Sequence, residues 1–180
     1  MAILMIISMV SFESTQAQKT VFSLGPGMAF SAPANLLSTK FPTAKVEINY
    51  FPTNMWSFGL RMRPLGQYSP AKDTFGVKFT NMANLYLITG IQTTTAEKGF
   101  NCGVSTGFGL AFAEDSKDIN TYPTWDCSIK GGYCINKTHA IFVDLNYSYV
   151  WTYGGAIHTN GFSFMTEITW EITIPNSSPY

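Results

Sequence analysis

The sequence predicts an all-β chain closed into an eight-stranded antiparallel up-and-down transmembrane β-barrel. Three observations carry that expectation. Apolar residues recur with a period of two through most of the chain after Gln18, which is the alternation of a strand with one greasy face. Aromatic residues make up 15% of the chain and charged residues only 12%, about half the charge of an ordinary soluble domain. The four tryptophans fall near the ends of the alternating segments, where indole rings meet the two faces of a bilayer.

A chain of 180 residues with its 15 Gly and 9 Pro spread throughout has room for one domain and no composition shift to mark a second. Residues 1–17 are expected to be a cleaved signal peptide, and 18–180 the barrel domain. Ala2 to Phe12 is an apolar run of h-region length, too short to span a bilayer as a helix of about 20 residues. Thr15 and Ala17 are the small residues at −3 and −1 of a cut before Gln18. No Cys stands at the cut, so no lipoprotein anchor is expected. The formal net charge is zero, which excludes nucleic acid as a partner, because phosphate neutralisation needs clustered Lys and Arg.

The strands follow in order. In the first, Phe22, Leu24, Met28 and Phe30 oppose Ser23, Gly25, Gly27 and Ala29; in the second, Val46, Ile48 and Tyr50 oppose Lys45, Glu47 and Asn49. In the third, Trp56, Phe58, Leu60 and Met62 oppose Ser57, Gly59, Arg61 and Arg63. The fourth carries Phe75, Val77, Phe79, Leu85, Leu87 and Ile91 on one parity, with Asn81 and Asn84 suggesting a bulge. In the fifth, the even positions Phe100 to Phe112 are mostly apolar and the odd ones are small or polar. The sixth runs from Trp125 to Ile135, with Asp126, Ser128, Lys130, Gly132 and Cys134 on its second face. The seventh sets Ile141, Val143, Leu145, Tyr147, Tyr149 and Trp151 against Asp144, Asn146 and Ser148, and Phe142 and Val150 interrupt that second face. The eighth sets Phe162, Phe164, Ile168, Trp170, Ile172 and Ile174 against Ser163, Glu167, Thr169, Glu171 and Thr173.

Longer links are expected at Ser31–Thr43, Pro64–Thr74, Ala113–Pro123 and Thr152–Gly161. Short ones are expected at Pro52–Asn54, Thr95–Gly99 and Asn136–Lys137. Alternation of long and short links is the habit of a membrane barrel with outer loops and periplasmic turns, and an even strand count then places both termini in the periplasm. The second face is rich in Gly, Ser, Ala and Thr, which makes a poor water-facing surface but a good filling for a bore as narrow as eight strands allow. Its charges nearly balance. Lys45, Arg61, Arg63 and Lys130 would share the lumen with Glu47, Asp126, Asp144, Glu167 and Glu171, and buried charges are tolerated only when paired. An ion-pair and hydrogen-bond network across the bore is therefore expected. Trp56 and Trp170 are expected near the periplasmic ends of their strands, and Trp125 and Trp151 near the outer ends, as an aromatic girdle. Cys102, Cys127 and Cys134 show no CxxC spacing and are read as buried small apolar residues, with a disulfide from Cys102 as the lesser alternative.

This arrangement, over about Val21 to Ile174, resembles the small outer-membrane barrels of the OmpA transmembrane-domain and OmpX type. The resemblance is architectural. It implies residence in the outer membrane of a Gram-negative bacterium, with outer-membrane lipid and a second outer-membrane or periplasmic protein as partners. The peptidoglycan-binding domain of the OmpA family has no counterpart after Ile174, and Tyr180 stands where that family carries a terminal Phe. The Thr-Gln-Ala-Gln stretch at Thr15–Gln18 is similar to the cleavage regions of Bacteroidota exports.

Little catalytic chemistry is legible. His158, Thr159, Asn160 and Gly161 look like the His-x-Ser-Asn signature of outer-membrane lipid A deacylases, but Asn160 occupies the nucleophile's place. Ser163 is the nearest hydroxyl, with Glu167 or Glu171 to orient His158. HExxH, GxSxG, P-loop and EF-hand patterns are absent from the sequence, so no cofactor or metal is expected. The leading expectation is a structural or accessory barrel acting on a partner protein through its outer loops or wall. The alternatives are a small pore, a deacylase-type enzyme and a soluble lipocalin-like carrier.

Overall fold

The computed structural model describes residues 19–33, 39–65, 81–93, 98–114, 119–151 and 161–175. The expected signal peptide, the outer part of the fourth strand from Phe75, and Tyr180 lie outside the described residues. Eight strands follow one another: β1 Lys19–Pro33, β2 Thr39–Phe51, β3 Trp56–Leu65, β4 Asn81–Gln92, β5 Gly99–Glu114, β6 Ile119–Cys134, β7 His139–Val150 and β8 Gly161–Pro175. Each pairs antiparallel with the next, and β8 returns to β1, so the sheet is a closed barrel with no helix among the described residues.

The registers fix the dimensions. One circuit runs from Phe22 through Ile48, Leu60, Leu87, Phe108, Trp125, Tyr149 and Phe162 and comes back to β1 at Ala32, ten residues further along. For eight strands, that stagger tilts each strand by about 40° to the barrel axis, within the range of closed barrels. A bore of this size is filled by side chains rather than by water.

Alternation decides which side chains fill it. Phe22, Leu24, Leu60, Leu87, Phe108, Ile129 and Ile168 point outward and are exposed, whereas Lys45, Arg61, Arg63, Tyr86, Asp126 and Glu167 point inward and are at most 1% exposed. Phe142 and Val150, which interrupt the polar face of β7 in sequence, are buried in the bore. This is the reverse of a soluble ligand-binding barrel, which keeps its greasy face inside.

Several sequence expectations need correction. The strands are longer than their alternating cores, so two of the four links expected to be long shrink. On that side the described strands leave 34–38, 66–80, 115–118 and 151–160 between them, and on the other side 52–55, 93–98 and 135–138. Strict alternation of length therefore fails. Strands β1, β2, β5 and β6 continue in paired register past the apolar pattern, as in Ser31↔Thr39 and Glu114↔Ile119. No bulge occurs at Asn81–Asn84. Asn84 pairs with Arg63 on one side and Ala111 on the other in unbroken register, because its amide serves a lumen hydrogen bond instead of marking an extra residue. The cysteines are not buried. Cys102 is exposed on the outer wall, Cys127 and Cys134 are partly exposed, and all three are free thiols.

Breaks in the ladder have a different cause. Pairing lapses at Gly25 and Pro26 between β1 and β8, and at Lys45 and Arg63 beside Pro64 between β2 and β3. In both places proline lacks the N–H that the facing carbonyl needs, yet the register resumes unchanged. Glycine is required by geometry at several positions, of which two show the two reasons. Gly99 opens β5 with φ 143°, a conformation open essentially only to glycine. A Cβ on Gly109 would collide with the Leu85 carbonyl, so β4 and β5 approach here only because that side chain is missing.

Candidate functional site

The polar parity of six strands converges on the middle of the bore. Arg61 and Arg63, two apart on β3, both face inward, and each reaches across to β6. Arg61 donates from Nη1 to Asp126 Oδ1 and Arg63 donates from Nη1 to Asp126 Oδ2, so one carboxylate is clasped by two guanidiniums. Arg61 also donates from Nε to Glu47 Oε2 at 2.5 Å and from Nη2 to Ser105 Oγ at 2.8 Å. Arg63 donates from Nε to Glu167 Oε1 at 3.0 Å and from Nη2 to Asn146 Oδ1 at 2.6 Å. The planar fork of arginine suits this multi-partner geometry, which the single ammonium of lysine cannot reproduce.

Two lysines complete the pattern. Lys45 pairs with Asp144, whose Oδ2 also accepts from Thr169 Oγ1, and lies 3.8 Å from Glu47. Lys130 donates to Glu171 Oε1 at 2.5 Å, and its ammonium sits 4.9 Å from the centre of the Phe142 ring. All nine charged residues expected in the lumen are thus placed there and joined through ion pairs. Stripping ions of water costs several kcal/mol each, and only dense pairing offsets that cost.

Above the charges, Tyr86 closes the bore with a hydroxyl within 2.7 Å of Ser148 Oγ and 2.9 Å of Asn84 Nδ2, while its ring faces the Arg63 guanidinium. Below them lie Phe142 and Phe51, with the Lys19 ammonium 4.9 Å from the Phe51 ring centre. Sequence reasoning named neither Tyr86 nor Lys19. Tyr86 was findable, since it shares parity with Asn84 and opposes Leu85 and Leu87.

The remaining candidates fall elsewhere. Trp56 and Trp170 are outward and exposed near one end of the barrel. Trp151 follows β7 at the other end, where its backbone N–H donates to the Pro123 carbonyl. Trp125 sits well inside β6, in its outer half, because β6 begins at Ile119, and its Nε1 donates to Thr106 Oγ1 at 2.8 Å. His158 and the side chain of Ser163 lie outside the described residues. Glu167, their suggested partner, has both oxygens engaged by Arg63 and Asn146. No cluster of His, Cys, Asp and Glu among the described residues could hold a metal ion.

The closed eight-stranded barrel has counterparts among solved structures. Neisserial surface protein A aligns with TM-score 0.65 at 12% identity, over 88% of this chain and 98% of that one. The fold is that of the small outer-membrane barrels. Ail, the attachment invasion locus protein of Yersinia pestis, aligns with TM-score 0.53 at 8% identity, over 87% of this chain and 99% of that one. The N-terminal β-barrel domain of OprF from Pseudomonas aeruginosa aligns with TM-score 0.52 at 13% identity, over 88% and 100%. No family model matches the sequence, and no curated protein matches it.

Proposed function

We propose that the protein is a structural or accessory barrel of a Gram-negative outer membrane, acting on a partner protein through its outer connections or its wall. One observation supports this above all: every strand turns its apolar side outward while arginine, lysine and carboxylate groups are packed inside. Such a molecule is matched to a hydrocarbon solvent, and lipid is its first partner. The bore is crossed by Arg61, Arg63, Asp126 and Tyr86, which argues against a pore. Both termini would face the periplasm, as Lys19 and Pro175 lie at the same end of the barrel.

Cell fractionation followed by gel migration with and without boiling tests this reading. Recovery in the outer membrane with heat-modifiable mobility is the expected result. Recovery as a soluble periplasmic protein refutes it. Crosslinking from an outer connection and, separately, from the wall then identifies the surface that meets the partner protein.

A further inference from the structure

The outward wall carries a groove of about 620 Å³ along β7, β8 and β1, within the roughly 300–1,000 Å³ of ligand clefts. Leu24, Pro26, Ile141, Ile168 and Trp170 form its apolar length, and His139 and Asn136 lie at its polar end. Its far end is at Pro26, where the β1–β8 ladder lapses. His139 packs its ring on Trp170 with centroids 5.5 Å apart, and its Nδ1 is buried without a hydrogen-bond partner. The turn beside it, 135–138, contributes the exposed Lys137.

We infer that this groove binds one phospholipid of the periplasmic leaflet, with an acyl chain along the apolar length and the phosphate-bearing end at His139 and Lys137. The inference rests on the membrane-spanning reading proposed above. Depth selects the occupant. From His139 to Val143, which pairs with Ile168 beside Pro26, β7 advances roughly 13 Å at about 3.3 Å per residue. At the strand tilt of about 40° this is roughly 10 Å along the bilayer normal, which keeps the groove inside one leaflet of a hydrocarbon core about 30 Å thick. A second barrel docking side by side would need a surface continuing through both leaflets, whereas the groove stops at Pro26. Polarity agrees: Asn136 and His139, with the exposed Lys137 in the adjoining turn, sit at the edge where a phosphate would lie.

The test uses the full chain with Trp56, Trp125 and Trp151 replaced by Phe, leaving Trp170, folded into phosphatidylcholine vesicles. A small mole fraction of phosphatidylethanolamine brominated in its acyl chains is included, and each variant is compared with unbrominated vesicles. A matching variant that retains only Trp56, on another part of the wall, measures quenching by randomly mixed lipid. Trp170 is expected to be quenched several-fold more than Trp56, and Ile168→Phe and His139→Ala are each expected to bring it down to the Trp56 value. Equal or weaker quenching of Trp170 overturns the site, and crosslinked dimers in that case identify a second copy as the occupant. Absence of quenching at both tryptophans, with no heat-modifiable band, overturns the membrane-spanning reading itself.

Discussion

Asp126 is the residue on which the interior most depends, since its two oxygens neutralise two guanidiniums that have no access to water. Asp126→Ala leaves each guanidinium with one carboxylate, Glu47 for Arg61 and Glu167 for Arg63, and the bore with an uncompensated positive charge; the expected loss is about 3–5 kcal/mol of folding free energy, read from urea unfolding in lipid vesicles. Asp126→Asn keeps the shape and one acceptor and should cost less. Tyr86→Phe removes a hydroxyl shared by Asn84, Thr124 and Ser148 and should cost on the order of 1 kcal/mol in the same measurement. At this scale much was legible. The nine lumen charges could be named from parity and balance alone, because an inward charge without a partner is untenable. The partners could not, since who meets whom across the bore depends on a stagger that no single strand encodes. Exposure of Cys102 and Cys127 was misread for a related reason: both share the apolar parity, which in this barrel is the outside, whereas Cys134 lies on the inward parity near the end of β6 and is partly exposed there. Cys102 should therefore react slowly with a charged maleimide in folded, vesicle-bound protein and quickly after unfolding, and fast labelling in both states would contradict its placement on the lipid-facing wall.

Among the elements, the strand cores were legible and their ends were not. Alternation specifies where a strand has two chemically distinct faces, but the outer extensions of β1, β2, β5 and β6 are held by backbone pairing through residues without strong alternation. Proline placement in β1 and β3 has a measurable consequence. Pro64 faces outward and leaves the Ala44 carbonyl without its ladder donor. Pro64→Val should restore that bond and stabilise the barrel by about 1 kcal/mol, seen as a higher urea midpoint; an unchanged or lower midpoint would mean that the gap is already satisfied. Gly109 sets the spacing of its own pair. Gly109→Val pushes the new side chain into the Leu85 backbone, and the heat-modifiable form should be lost or greatly reduced on gels.

For the molecule as a whole, fold class and strand number were readable because three independent constraints agree: period, composition and the scarcity of charge on one parity. Function was not, since a wall suited to lipid and a bore sealed by ion pairs are general requirements of the architecture. The sealed bore does predict an electrical property. In planar bilayers the protein should show no steady conductance, and a stable open current would require the Arg63–Asp126–Arg61 bridge to part. The register also places Lys19 directly opposite Pro175, on neighbouring strands at the same rim. Topologically the sheet is a ring in which no strand is first. A variant that joins those two positions by a short linker and opens the chain in the 135–138 turn would keep every strand pairing intact, with β7 leading and β6 closing the ring.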